Sequence, residues 1–357
     1  MSEHDPLIDF VSTVSGDGYL KVEESLGDGY VRLRVPEAER RQAKHDIRSV
    51  EDVVIELLRN ARDAHAQRIF VATTREGATR TLTMLDDGVG IPVALHETVF
   101  EPRVTSKLET MVMDRWGVHG RGMALFSVRE NVSSARVMTS APHKGAALTV
   151  TADTEALTER ADQSTWPIIE LDEAGSPHVT RGPHNIVRRL VEFACEHPSL
   201  ELYIGTPTEI LATIYDLGRD QLETADLMFC DDLDRLLVWQ RPAACADAGE
   251  LEEVAASIGL PVSERTAHRI LAGELAPLEP VLAQLTTDEP EAKPGPDIYR
   301  DRRSLRIHHG DLAAFRQELT KAFDLLAERY YLNLKGEPKV TVGRDSISVR
   351  FPVEKDD

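Results

Sequence analysis

Three short segments, in fixed order between Glu56 and Gly122, constrain this chain more than anything else in it. The first is Glu56-Leu57-Leu58-Arg59-Asn60-Ala61-Arg62-Asp63-Ala64. The second is Asp86-Asp87-Gly88-Val89-Gly90-Ile91-Pro92, and the third is Gly117-Val118-His119-Gly120-Arg121-Gly122. Each falls at a different kind of element. Ser49 sets an N-cap ahead of the first, with Glu51 and Asp52 in the opening turn. Val53, Val54, Leu57, Leu58 and Ala61 then recur at the spacing of one apolar helix face, and Glu56, Asn60 and Asp63 share another. Residues 68–74 and 79–85 read as two strands turning at Glu76-Gly77, and the second runs straight into Asp86. The third segment opens a helix over residues 123–132.

These residue types suit a nucleoside triphosphate and its metal. An Asn60 amide oxygen fits the hard cation magnesium. One turn earlier, Glu56 can take a proton from an attacking water. Asp86, at a strand end, can accept from an adenine amino group, while Gly88 and Gly90 leave backbone open to base and sugar. Two glycines at a helix start offer free N–H groups and the helix dipole to phosphate. Singly, each segment has an ordinary explanation as a solvated face, a turn or a packing glycine. Together, in order and correctly placed, they indicate one ATP–magnesium site.

At 357 residues the chain has room for two or three domains. Its 41 basic against 61 acidic residues, a net of -20, oppose unspecific binding to nucleic acid. Cys195, Cys230 and Cys245 are scattered and form no CxxC pair, which points to a reducing compartment without structural zinc. The acidic start and the lack of a long apolar run give the expectation of a cytoplasmic chain with no membrane span.

Residues 1–28 read as an N-terminal extension, and residues 30–35 as a half-buried strand ended by Pro36. A polar run, 39–45, comes next. Residues 93–100 read as a short helix, 103–116 as a mobile loop over the site, and 135–139 and 146–151 as strands. After a turn-rich stretch, 152–183, a helix at 185–195 and a strand at 200–204 close an α/β domain over 29–205. Residues 206–289 read as a separate helical domain and 290–300 as a Pro-rich linker. A tail, 301–357, carries a helix over 311–331 and a hairpin of 339–342 with 346–351.

The three segments resemble the N box and the two glycine boxes of the Bergerat-fold, or GHKL, ATPases, the superfamily of gyrase B, histidine kinases and MutL. The resemblance covers roughly residues 30–151, and no P-loop signature competes with it. It implies a two-layer α/β ATPase sandwich, which with the helical domain and the short α/β C-terminal segment read above makes an α+β architecture. It implies ATP and Mg2+ as ligands, with Glu56 the general base, Asn60 on the metal and Asp86 on adenine. It also implies nucleotide contacts from Asp63, Gly88, Gly90, Ile91, Lys107, Gly117, His119, Gly120, Arg121, Gly122 and Met123.

Within that superfamily, Thr105-Ser106-Lys107, Arg115 and the pattern over 182–205 resemble the B subunit of type VI DNA topoisomerase. Residues 251–271 suit its helix–two-turn–helix module, and residues 253–274 suit an ordinary helix-turn-helix or a plain helical bundle with polar faces. The expectation is an ATP-driven conformational switch, acting on a DNA-processing partner or closing a homodimer. Two departures stand against the full analogy: the strong negative charge, and a tail too short for a complete transducer domain, in which Lys335 could serve as a switch lysine but reads more simply as a surface lysine in a turn. The alternatives are a regulatory module in which ATP binding alone matters, and a histidine-kinase-like protein with His45 as phosphoacceptor.

Overall fold

The computed structural model describes residues 22–35, 37–105, 112–114, 117–119, 122–172, 175–222, 232–286, 309–330, 332–336, 338–342 and 347–355. They fall into two compact units, Met1–Thr287 and Asp288–Asp357.

The first unit opens with a hairpin, β1 (Val22–Gly27) and β2 (Tyr30–Leu33), then helices α1 (Glu37–Asp46) and α2 (Val50–Asp63). A long hairpin comes after them, β3 (Arg68–Glu76) and β4 (Thr79–Asp86). Two single tight turns, Val93–Leu95 and Thr98–Phe100, lead to β5 (Val104–Thr105) and the pair β6 (Val112–Asp114) and β7 (Gly117–His119). Helix α3 (Ala124–Asn131), strands β8 (Ser134–Ser140) and β9 (Ala146–Asp153), and the hairpin β10 (Ile168–Leu171) and β11 (Pro177–Arg181) come next. Helix α4 (Ile186–Glu196), β12 (Glu201–Gly205), and helices α5 (Pro207–Gln221), α6 (Ala248–Ser257), α7 (Glu264–Leu271) and α8 (Ala283–Thr286) complete it.

The centre is a five-stranded sheet in the order β12-β3-β4-β9-β8, with β12 parallel to β3 and the other pairs antiparallel. Ile69, Val71, Leu82 and Met84 pack on one face beneath α2 and α4. Phe70, Ala72 and Leu85 point the other way, against Ile210, Trp239 and Leu251 from the helical segment after β12. Phe70 stacks on Tyr203 at 4.9 Å and lies 5.6 Å from the Trp239 ring.

Helices therefore cover both faces, giving three layers where two were expected. The separate helical domain expected over 206–289 is instead the back layer of the first unit, as far as residue 287. The physical reason lies in β3: Ile69-Phe70-Val71-Ala72 is apolar without alternation, the mark of a strand buried on both sides.

Helix α2 starts as expected. Ser49 Oγ accepts from Asp52 N at 3.3 Å, and Asp52 Oδ2 accepts from Ser49 N at 3.0 Å, a reciprocal capping box. Helix α1 lies in the run read only as polar. Its residues favour helix but offer no apolar stripe, and its anchor is Ala43 against Met123 and Phe126. Residues 93–100 form two single turns and no continuous helix, confined between Pro92 and Pro102. Strand β2 lies in the expected strand, whereas its partner β1 lies in the stretch read as an extension, and the hairpin β10–β11 lies where only turns were expected.

The second unit holds helix α9 (His309–Tyr330) and strands β13 (Leu332–Leu334), β14 (Lys339–Val342), β15 (Ile347–Arg350) and β16 (Val353–Lys355). The expected hairpin is β14–β15, its turn lying outside the described residues, and β13 pairs with β16. Phe323 stacks on Phe351 at 5.2 Å. Lys335 Nζ lies 3.4 Å from Glu354 Oε2 within this unit.

Candidate functional site

A cavity of about 430 Å³ opens on the α2 side of the sheet. Met84, Ala146 and Leu148 of β4 and β9 contribute its apolar wall. Glu56, Asn60 and Asp63, at helical spacing, line it from α2. Asp86, Gly90 and Ile91 line it from the loop after β4, and Gly122 and Met123 from the entry to α3. All three segments thus reach one cavity.

Two arginines brace the polar face of α2. Arg59 Nη1 donates to Glu56 Oε1 at 2.6 Å, with side-chain exposures of 5% and 19%. Arg62 donates to Asp63 Oδ1 from Nε at 2.9 Å and Nη2 at 2.8 Å, while its guanidinium stands 5.8 Å over the Phe193 ring.

The two adjacent aspartates have different work. Asp86 is buried, and its Oδ1 accepts from Gly88 N at 2.9 Å. Asp87 Oδ1 accepts from the backbone of Gln67 at 2.6 Å and Arg68 at 2.9 Å, tying the loop to the start of β3. The loop is also stitched to the 140–145 turn. Gly145 N donates to Gly88 O at 3.0 Å, His143 N to Val89 O at 2.6 Å, and Ile91 N to Ser140 Oγ at 2.7 Å.

Gly88 and Gly90 need correction in their reason. Gly88 is not among the residues lining the cavity; a Cβ there would stand 2.6 Å from the Ala64 carbonyl oxygen. Gly90 lines the cavity, but its φ is +72° and a Cβ would stand 2.0 Å from Ala141 O. Both glycines are required by close backbone packing that shapes the loop, before any ligand is considered.

In the third segment, β7 pairs with β6 through Val112↔His119 and Asp114↔Gly117. These strands lie in and beside the stretch read as a loop over 103–116. Lys107, Gly120 and Arg121 lie outside the described residues. Gly122 has φ +65°, and its carbonyl accepts from Arg103 N at 2.8 Å. The first turn of α3 receives no side-chain cap from Met123, so its N–H groups fit an anionic ligand at the cavity edge.

Thr105 of β5, quoted above in the lid pattern, also lines the cavity, as do Tyr30 of β2 and Gln42 and Asp46 of α1, which were not anticipated. The apolar lining cannot be told from core by pattern alone. In Asn60 and Glu56 the cavity has oxygen donors of the hard type that magnesium takes. Among the described residues, no helix is long and apolar enough to cross a membrane.

Residues 45–156 match the family described as histidine kinase-, DNA gyrase B-, and HSP90-like ATPase. The match contains all three segments and the wall strands β4 and β9. The chain is also 42% identical over 83 residues to the DNA mismatch repair protein MutL of Thermus aquaticus. It is 42% identical over 82 residues to MutL of Thermus thermophilus. Each similarity covers 23% of this chain and 15% of the relative's length. The comparisons thus support an ATPase domain of the GHKL type over this segment, and the relatives found are mismatch-repair proteins and not topoisomerase subunits.

Proposed function

We propose that this chain binds ATP with magnesium in the cavity between α2, the loop after β4 and the start of α3, and hydrolyses it. The observation that carries this reading is the convergence of Glu56, Asn60 and Asp86 on one cavity of about 430 Å³. That size lies within the roughly 300–1,000 Å³ usual for small-ligand pockets. Asp86 would accept from the adenine amino group, with the base against Met84, Ala146 and Leu148. Asn60 would hold the metal, and Asp63 and Ile91 would flank the nucleotide. The backbone of 117–123, with Lys107 and Arg121, would meet the phosphates. Bound magnesium would neutralise charge on the phosphate oxygens.

Glu56 would act on water. Its carboxylate takes the proton, the water oxygen bonds the γ-phosphorus, and the bond to the bridging oxygen breaks, leaving ADP with the electron pair. Bound ATP and its loss then make a switch, read by a protein partner or a second copy of the chain in the cytoplasm. The narrower reading is a DNA-processing partner. Similarity to mismatch-repair relatives supports it, and the 182–205 pattern keeps a topoisomerase VI B-like assembly as its second form. The net charge of -20 favours DNA being held by the partner and not by this chain.

The test is ATP binding and phosphate release by the wild type, Glu56→Ala and Asn60→Ala. Glu56→Ala should bind ATP normally and lose hydrolysis by about 10²-fold or more. Asn60→Ala should lose magnesium-dependent binding. Undiminished turnover in Glu56→Ala would remove Glu56 as the base, and phosphate on His45 would favour the kinase-like alternative.

A further inference from the structure

Arg59 lies between the two residues of the first segment that carry chemistry, at a position to which the segment pattern gives no task. It is 4% exposed, yet it lines the nucleotide cavity together with Glu56. Its Nη1 reaches back one turn to Glu56 Oε1 at 2.6 Å. A guanidinium withdrawn from water to this degree is destabilising unless paired. A glutamate side chain, conversely, has three torsions to lose when it is held in one place. A charge-assisted bond between them, set at i,i+3 on a helix packed into the core, restrains both.

We propose that Arg59 is a positioning residue for Glu56. It holds the carboxylate of the base in one rotamer at the cavity wall, so that turnover depends on Arg59 while nucleotide affinity does not. The inference rests on the ATPase reading of the same cavity. Geometry is the reason to expect a large effect: misplacing a reacting group by about 1 Å can reduce rate by roughly 10²-fold.

The experiment measures kcat and KM for Mg-ATP hydrolysis, with nucleotide binding followed separately, in six proteins. They are the wild type, Arg59→Gln, Arg59→Lys, Glu56→Gln and the two double variants. Arg59→Gln should lower kcat by about 10- to 100-fold with KM within about 2-fold, and Arg59→Lys, which keeps one cationic donor, should recover part of the loss. In the Glu56→Gln background, either Arg59 change should alter the residual rate by less than about 2-fold, because the group through which it acts is gone. If Arg59→Gln does not fold, the Arg59→Lys pair is read by the same criteria.

Equal losses in both backgrounds, a rise in KM with kcat intact, or unchanged kinetics would each overturn the role. No turnover by the wild type would instead overturn the ATPase reading, so the two failures are distinct.

Discussion

Single residues carry two kinds of constraint here, chemical and steric, and Gly90 shows how they separate. Its φ of +72° and the Ala141 carbonyl oxygen, 2.0 Å from where a Cβ would stand, leave no room for alanine. Gly77 has a similar φ, +59°, but opens to empty space. Gly77→Ala should therefore reduce stability by about 1 kcal/mol, and Gly90→Ala by about 3 kcal/mol or more with loss of ATP binding, measured by urea unfolding and nucleotide titration. Equal effects would contradict the packing account.

At this scale the chemically distinctive residues were legible in the sequence. Glu56, Asn60, Asp63, Asp86, Gly90, Ile91, Gly122 and Met123 do line one cavity. Gly88 had the right type for a different reason, and Met84, Ala146 and Leu148 could not be separated from ordinary core, because a leucine against a ligand and one against a helix leave the same pattern.

Elements were legible where periodicity and capping agreed. Helix α2 and strands β3 and β4 announce themselves by stripe and turn; α1 has no stripe, because most of its surface meets water. Helix α4 depends on Asn185, which is fully buried. Its side-chain oxygen caps Arg188 N at 2.9 Å, and its Nδ2 donates to Asp162 O at 3.0 Å and Thr165 O at 2.9 Å. Asn185→Ala removes the cap and the two bonds that tie the buried Asn185 side chain to the Asp162 and Thr165 carbonyls, so stability should fall by about 1–3 kcal/mol in urea unfolding.

The back layer should also weaken in alkali. Burial pushes the Cys245 thiol from 9.0 to about 12 and the Tyr203 phenol from 10.0 to about 12. The folded state then holds protons that the unfolded chain has released, so stability should fall as pH climbs from about 9 towards 12. Urea midpoints across that range would show it, and a flat profile would argue against this burial.

For the whole molecule, the main lesson is that the helical segment after residue 205 is not a detachable domain. Phe70, Leu85 and Tyr203 are buried by Ile210, Trp239 and other apolar side chains later in the chain. Composition alone suggested a boundary there, since a strand gives way to helices; only the two-sided apolar run in β3 argued otherwise. A chain ending at residue 287 should keep its fold and its nucleotide binding, whereas one ending at residue 205 would expose the back of the sheet and aggregate. A soluble, ATP-binding 1–205 fragment would contradict the three-layer arrangement.

The central claim, that this cavity takes adenine at Asp86, is tested most directly by calorimetric titration of Mg-ATP into the wild type and Asp86→Asn. The substitution keeps the shape of the side chain and an oxygen for the Gly88 N–H, held at 2.9 Å in the wild type. It replaces the second acceptor with an N–H donor facing the adenine amino group. One saturable site is expected in the wild type, with binding weaker by about 2–3 kcal/mol in Asp86→Asn. Equal affinity in the two proteins, or no binding to the wild type, would contradict the claim.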